Sequence, residues 1–188
     1  LEEVRALDAG SHFSPEFAEE RYPTLGEVLA WAKETGMRLN IELKPTGHER
    51  DLEGEVARQV REAGMGSQCV FTSMSYDCLL RLREAAPEVR RAYVMTLAYG
   101  DLCQLDAADL FSVEETSCTA QLVGYLHAQG REVLAWTVND ESNVLRVVEN
   151  GVDGVITDDV PRVREALQDR DGRTPVGIAL DWLAGLLA

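Results

Sequence analysis

The strict alternation of helical segments with short apolar segments is the feature that most constrains this chain. Four helical patterns end in a glycine, after which an apolar stretch begins, at Gly36, Gly64, Gly130 and Gly151. Glycine after a helix adopts the left-handed conformation that side chains resist, so these positions predict helix-to-strand turns. The apolar stretches predict six strands, at residues 39–44, 69–73, 91–96, 110–114, 132–138 and 154–157. Regular alternation of this kind indicates βα units that build a parallel sheet.

An open doubly wound sheet and a (β/α)8 barrel both satisfy this alternation. The sequence contains neither a Gly-x-Gly-x-x-Gly dinucleotide signature nor a Gly-x-x-x-x-Gly-Lys-[Ser/Thr] phosphate loop. Polar residues instead follow nearly every predicted strand, and barrels gather their chemistry at the carboxyl ends of several strands. The pattern therefore favours an α/β barrel. Six strands do not close an eight-stranded barrel, and the first 38 residues contain a loop and one helix but no convincing strand, so we expect an incomplete barrel.

Charge and hydropathy exclude some classes of partner. The net charge of −15 opposes nucleic-acid binding, because the phosphates would be repelled. No apolar run approaches the roughly 20 residues of a transmembrane helix, so we expect a soluble domain, either cytoplasmic or the exposed domain of a larger membrane-attached protein. The absence of an initial methionine suggests a piece of a longer chain. The four cysteines have no Cys-x-x-Cys spacing, and core packing is the interpretation that we favour for them.

The segment LNIELKP, residues 39–45, places an acid beside a base. Residues two apart in a strand face the same side, so Glu42 and Lys44 lie together, opposite the aliphatic residues between them. From this spacing alone, an internal salt bridge is at least as good an interpretation as a ligand site. The alternative is a ligand site, because a hard divalent cation takes carboxylate oxygens and an ammonium neutralises the charge of an anion.

Five segments, in this order along the chain, resemble the glycerophosphodiester phosphodiesterases, which are (β/α)8 TIM barrels of the phospholipase-C-like phosphodiesterase type. They are LDAGSHFSPEFAEERYPTLGEVLAWA, LNIELKP, VFTSMSYDCLLRLREAAPEVR, VLAWTVND and NGVDGVITDDV. The resemblance covers the C-terminal two-thirds of that domain and residues 1–170 of this chain. Residues 171–188 are interpreted as an amphipathic tail that covers the open side of the barrel, packs beneath it or lies on a membrane surface.

The resemblance implies roles for four residues. Glu42 matches the family's metal-binding glutamate, and Lys44 matches a lysine that contacts the phosphate. Trp136 matches an aromatic residue near the alcohol part of the substrate, although a packed core aromatic is the alternative. Ser73 stands where the family has a Ser-Phe pair, but Met74 replaces the phenylalanine. The implied site therefore has Glu42 as a ligand of Ca²⁺ or Mg²⁺, and Lys44, Ser73 and Trp136 as residues that bind a glycerophosphodiester.

The catalytic motifs of the resembled family are absent from these 188 residues. His-Arg-Gly and His-Asp do not occur, and no Glu-x-Asp pair precedes the segment LNIELKP; in the family these motifs carry the two catalytic histidines and the remaining metal carboxylates. The histidines at 12, 48 and 127 lie elsewhere, and none is assigned as a catalyst. The resemblance implies hydrolysis to glycerol 3-phosphate and an alcohol, with the isolated chain expected to be inactive. The alternatives are a related phospholipase and a non-catalytic barrel used for binding or assembly. The open edge of the 39–44 strand also predicts self-association.

Overall fold

Six parallel strands form a single sheet that curls into half a barrel, which confirms the predicted incomplete α/β barrel. The computed structural model describes residues 1–97 and 100–172. The strands, which pair in sequence order, are β1 (Leu39–Glu42), β2 (Cys69–Ser73), β3 (Arg90–Met95), β4 (Leu110–Glu114), β5 (Glu132–Trp136) and β6 (Gly154–Val155). The helices are α1 (Glu2–Arg5), α2 (Leu25–Thr35), α3 (Leu52–Ala63), α4 (Tyr76–Ala85), α5 (Ala120–His127), α6 (Glu141–Glu149) and α7 (Val160–Gly172).

The strands lie where the sequence predicts them, although the first ends at Glu42, which leaves Lys44 just beyond it, and the last two are also shorter. β5 ends at Trp136 and β6 at Val155, yet Val138 still donates its N–H to the Ile156 carbonyl at 2.9 Å. The two segments therefore remain side by side beyond the regular ladder. Before β1 the described chain contains two α-helices, the short 3-10 helix Pro15–Phe17 and an isolated antiparallel bridge, Asp8 with Arg21, but no strand of the sheet.

The core lies between the convex face of the sheet and the helices. Alternation along each strand sends one set of side chains outward, where Phe71 and Phe111 are completely buried against the helices. Leu39, Ile41 and Leu43 belong to this outward set, so their neighbours Asn40 and Glu42 face the concave side, as the strand period predicts. Large buried side chains of this kind each contribute about 1.5–3 kcal/mol to folding by leaving water.

The turn from α2 into β1 sets the direction of the strand that carries Glu42. α2 begins with a capping box, in which Glu27 N–H donates to Thr24 Oγ1 and Thr24 N–H donates to Glu27 Oε2. It ends at Gly36, whose φ of 72° is left-handed. Positive φ values at Gly64, Gly130 and Gly151 confirm the other three predicted turns.

The cysteines only partly follow the core interpretation. Cys69, Cys78 and Cys118 are buried and free, and burial raises the pKa of Cys78 and of Cys118 to about 11. Such thiols remain protonated and inert at neutral pH. The interpretation is wrong for Cys103, which is exposed in the short 3-10 turn Leu102–Gln104, with its Sγ 2.8 Å from the Tyr125 hydroxyl oxygen.

The predicted tail lies almost entirely outside the described residues. α7 continues to Gly172, past the predicted domain boundary at residue 170, and residues 173–188 are beyond the part that the structure describes. Across the ranges 1–97 and 100–172, no helix has both the length and the apolar character needed to cross a bilayer.

The outer edge of β1 leads to a prediction about assembly. Within the described ranges no strand pairs with this edge, and unpaired edges recruit other strands, so we expect concentration-dependent self-association in sedimentation experiments. Leu43 donates its N–H to the Thr72 carbonyl at 2.7 Å, so the N–H of Asn40, three residues earlier, points away from β2. Asn40→Pro should therefore block edge pairing without removing a backbone hydrogen bond between β1 and β2, although it does remove the bond from Thr72 Oγ1 to Asn40 Oδ1. A monomeric unchanged chain at high concentration would contradict this prediction.

Candidate functional site

A cavity of about 760 Å³ opens on the concave face of the half-barrel, at the carboxyl ends of the strands. Parallel strands that curl together bring these ends to one mouth, which is where barrels bind their ligands. The four residues indicated by the sequence, Glu42, Lys44, Ser73 and Trp136, all line this cavity. The fold therefore brings together side chains from β1, β2 and β5 that are far apart along the chain.

Glu42 and Lys44 form the salt bridge that their spacing allows. Lys44 Nζ lies 3.4 Å from Glu42 Oε2, and the two side chains are 78% and 37% exposed, respectively. An ion pair this open to water contributes only about 0–1 kcal/mol, so it holds neither side chain firmly. The salt-bridge and ligand-site interpretations are thus compatible, because an anion in the cavity could compete with Glu42 for the ammonium.

Ser73 is buried, and its hydroxyl is engaged with the backbone on two sides. The hydroxyl donates to the Leu43 carbonyl at 2.8 Å and accepts from Ser75 N–H at 3.1 Å. The first bond joins the end of β2 to the residue that immediately precedes Lys44. Ser73 therefore restrains the backbone that carries Lys44, in addition to lining the cavity.

Trp136 is half-buried on the cavity wall and lies outside the buried core. Its indole Nε1–H donates to the carbonyl of Ser112, the middle residue of β4, at 3.0 Å, which holds the ring against that strand. The peptide bond that follows, from Trp136 to Thr137, is cis. The ring presents a large apolar surface to any molecule that enters the cavity.

The base of the cavity contains two further polar residues, of which Thr72 is one of the polar strand-end residues that the sequence indicates, whereas Asn40 was missed. Thr72 Oγ1 donates to Asn40 Oδ1 at 2.9 Å, and both residues line the cavity. A signal for Asn40 was present, because it lies two residues before Glu42 and so shares its face of the strand. Thr72 lies at the polar end of its predicted strand, and the pairing of β1 with β2 places it opposite Glu42.

The turn after Lys44 is held by a carboxylate. Glu49 accepts from the Thr46 hydroxyl at 2.7 Å, from Thr46 N–H at 3.1 Å and from Gly47 N–H at 3.0 Å. These bonds, led by that of the Thr46 hydroxyl, lower the pKa of Glu49 to about 2, so it is ionised at neutral pH. The turn closes on itself, which limits the positions that Lys44 can reach.

No histidine lines the cavity among the described residues. His127 Nε2 lies 2.9 Å from Asp153 Oδ2, and the same carboxylate oxygen accepts from Val133 N–H near the start of β5. That pair is therefore at the amino ends of the strands, opposite the mouth. His12 and His48 are exposed, and neither lines the cavity.

The described residues do not by themselves fit a resident divalent cation. Calcium takes six to eight oxygen ligands, and magnesium takes six in an octahedron. Over residues 1–97 and 100–172, no three His, Cys, Asp or Glu side chains are grouped closely enough to hold a metal ion. Glu42 offers one carboxylate, and it is paired with the Lys44 ammonium.

Residues 1–162 match the model of the glycerophosphoryl diester phosphodiesterase family. YhdW of Bacillus subtilis is 32% identical over 165 residues, which make up 84% of this chain and 67% of that protein. A glycerophosphodiester phosphodiesterase of Caldanaerobacter subterraneus is 27% identical over 164 residues, 85% of this chain and 67% of that enzyme. The chain thus spans about two-thirds of the length of these relatives.

Solved structures agree with the sequence match. A phosphodiesterase of Oleispira antarctica, in complex with the product sn-glycerol-3-phosphate, has a TM-score of 0.77 and 30% identity, covering 89% of this chain and 70% of that one. A glycerophosphodiester phosphodiesterase of Parabacteroides distasonis, at 21% identity, shares the fold with a TM-score of 0.75 over 90% of this chain and 71% of that one. By the extent of the family match, this chain belongs to the glycerophosphoryl diester phosphodiesterase family of phosphoric diester hydrolases.

Proposed function

We propose that the cavity binds the glycerol phosphate part of a glycerophosphodiester, and that the protein acts in its hydrolysis to sn-glycerol 3-phosphate and an alcohol. The observation that carries the proposal is the exposed Lys44 ammonium on the cavity wall. The Oleispira antarctica relative in complex with sn-glycerol-3-phosphate supports the choice of ligand.

Lys44 supplies the positive charge that a phosphate needs in order to bind to this negatively charged chain. The chain has a net charge of −15, so its overall field repels a phosphate ester, and binding needs a local cation. Among the described residues, Lys44 is the only lysine or arginine that lines the cavity. A phosphate can replace Glu42 as its partner, because the existing ion pair is weak and open to water.

The other site residues have distinct proposed roles. Trp136 forms an apolar wall beside the organic part of the substrate. Ser73 positions Lys44 through the Leu43 carbonyl, and its own contact with substrate is secondary. Glu42 is proposed as one oxygen ligand of Ca²⁺ or Mg²⁺, whose remaining ligands the described residues do not supply.

One observation favours a second candidate, a non-catalytic barrel that binds a phosphodiester without cleaving it. The titratable side chains on the described cavity wall are those of Glu42 and Lys44, which are already paired with each other. General acid and base groups are needed to activate water and to protonate the leaving alcohol. Binding without turnover would therefore favour this second candidate for the chain.

Titration of the chain with sn-glycerol 3-phosphate tests the proposed binding. We expect the indole N–H resonance of Trp136 to shift, while that of Trp31, exposed on α2, stays in place. Lys44→Met should weaken binding about tenfold or more, because a hydrogen bond to a charged group contributes roughly 1.5–3 kcal/mol.

The chain supplies a matched control. It contains two lysines, and Lys33 on α2 donates to the Ala63 carbonyl at 2.6 Å, away from the cavity. Lys33→Met removes the same charge and should leave the affinity unchanged. Equal affinities for the Lys44→Met variant and the unchanged chain would refute the proposed phosphate site.

A further inference from the structure

A buried carboxylate on α3 has no part in the function proposed so far. The Glu53 side chain, in the first turn of that helix, is only 9% exposed, whereas the side chain of Glu55 in the same turn is 51% exposed. Burying a carboxylate away from water costs free energy unless charged or hydrogen-bonded partners compensate for the loss. The partners of Glu53 therefore show what holds it in this position.

One partner of Glu53 is Arg81 on the neighbouring helix α4. The Arg81 guanidinium donates from Nε at 2.9 Å and from Nη2 at 2.7 Å, and both bonds go to Glu53 Oε1, which leaves Oε2 available to another donor. Burial raises the pKa of Glu53, but the hydrogen bonds, led by that of Arg81, outweigh burial and lower the pKa overall. The carboxylate is therefore ionised at neutral pH.

A second partner of Glu53 is the Cys78 thiol, which is completely buried one turn before Arg81 on α4. The thiol is hydrogen-bonded with the Glu53 side chain and with the Ser73 side chain. Burial above all, together with the Glu53 bond, raises the pKa of Cys78 to about 11, although the Ser73 bond acts in the opposite direction. The thiol therefore keeps its proton at neutral pH, and it connects the carboxylate on α3 to the end of β2.

The Ser73 hydroxyl carries this connection to the phosphate site. Ser73 shares the outward face of β2 with Phe71, so its side chain points toward the helices. The hydroxyl donates to the Leu43 carbonyl at 2.8 Å, and Leu43 immediately precedes Lys44. On the other side of Lys44, the turn is held by the Glu49 carboxylate. The backbone of Lys44 thus lies between two anchored points, although its side chain is exposed.

We infer that Glu53 is a positioning residue of the phosphate site: through the thiol and the hydroxyl described above, it fixes the backbone from which Lys44 reaches a phosphate. The inference rests on the proposed function, which gives Lys44 its role. A long, exposed side chain reaches its ligand reproducibly only when its backbone is held, and contacts behind a binding residue provide that restraint. The alternative is that Glu53 and Arg81 only tether α3 to α4, in which case phosphate affinity does not depend on Glu53.

Titration with sn-glycerol 3-phosphate, followed by the indole N–H resonance of Trp136, tests the inference. In Glu53→Gln the single acceptor oxygen can serve Arg81 or the Cys78 thiol but not both, so the connection is broken while the size of the side chain is kept. The affinity should fall about threefold or more, as expected for residues that belong to one hydrogen-bond network.

Glu55→Gln is the matched control, because it removes the same charge from the same turn of α3. Glu55 pairs with Arg58 on the exposed surface of the helix. Removing a negative charge from a chain of net charge −15 favours phosphate binding, so this variant should bind at least as tightly as the unchanged chain. A loss of affinity in Glu53→Gln alone therefore reports position and not charge.

A double-mutant cycle with Lys44→Met distinguishes positioning from a general loss of structure. If Glu53 acts through Lys44, Glu53→Gln should weaken binding no further once Lys44 has been replaced. A general loss of structure would instead weaken binding by the same factor in both backgrounds. Urea unfolding of each variant gives its folded fraction, so that affinities are compared for folded protein.

Two variants of Cys78 test the connection itself, and they remain informative if Glu53→Gln does not fold. Cys78→Ser retains a hydroxyl that can hydrogen-bond with Glu53 and Ser73, whereas Cys78→Ala removes the group and leaves a side chain of similar size. The serine variant should bind sn-glycerol 3-phosphate about twofold or more tightly than the alanine variant. Equal affinities would show that the thiol does not connect Glu53 to the phosphate site, and the inference would be wrong.

The outcomes distinguish this inference from the proposed function. If the unchanged chain binds sn-glycerol 3-phosphate but Glu53→Gln binds as tightly as Glu55→Gln, the inference is overturned and the phosphate site stands. Additive effects of Glu53→Gln and Lys44→Met on the free energy of binding also overturn it. If the unchanged chain does not bind sn-glycerol 3-phosphate, the proposed function fails, and the inference fails with it.

Discussion

The 188-residue chain on its own should release sn-glycerol 3-phosphate from a glycerophosphodiester about 10⁴-fold more slowly than a relative with complete catalytic motifs, or not at all. The reason is chemical, because each positioned general acid or base raises the rate of the reaction by roughly 10²–10⁴-fold. The described cavity wall offers only Glu42 and Lys44, which are paired with each other, and no histidine. His127, bonded to Asp153, lies at the amino ends of the strands and cannot reach the mouth.

The measurement is release of sn-glycerol 3-phosphate with Ca²⁺ or Mg²⁺ supplied and again with a chelator. The Caldanaerobacter subterraneus glycerophosphodiester phosphodiesterase provides a positive control for the assay. Glu42→Gln controls for contaminating activity, because a contaminant would be unaffected by a change in this chain. Metal-dependent release that disappears in Glu42→Gln would show that the prediction of inactivity is wrong.

Arg91→Met should lower the free energy of unfolding by about 3 kcal/mol, because it removes a buried guanidinium that serves two backbone carbonyls and pairs with the half-buried Asp109 carboxylate. The Arg91 side chain is 8% exposed, and its guanidinium contacts Asp109 Oδ2 at 2.9 Å. It also donates to the carbonyls of Ala107 and Val89, so it joins the start of β3 to the segment before β4. Urea unfolding followed by circular dichroism measures the loss.

The neighbouring arginine is a matched control for this prediction. Arg90 is 42% exposed and pairs with Glu132 at 2.9 Å, an open ion pair that contributes only about 0–1 kcal/mol. Arg90→Met changes the net charge by the same amount, at the position that immediately precedes Arg91 in the same strand. The two variants should therefore differ by about 2 kcal/mol or more. If both variants lost the same free energy of unfolding, the carbonyls around Arg91 would have to find other hydrogen-bond donors, and the prediction would be wrong.

Local sequence patterns account for the order of elements and for part of the site. Glycines after helical segments and short apolar runs predict every described strand to within a few residues, because both report local backbone preferences. The period of two along a strand places Glu42 on the concave face and its aliphatic neighbours in the core. The order of five motifs is sufficient to indicate the family, which the match over residues 1–162 confirms.

Other features depend on contacts between segments that are distant in the chain. The engagement of the Ser73 hydroxyl with the Leu43 carbonyl, and the position of Thr72 beside Asn40, arise from the pairing of β1 with β2. Periodicity and turn residues report the conformation of one segment at a time, whereas these contacts exist only once the sheet has curled and its strand ends share a single mouth.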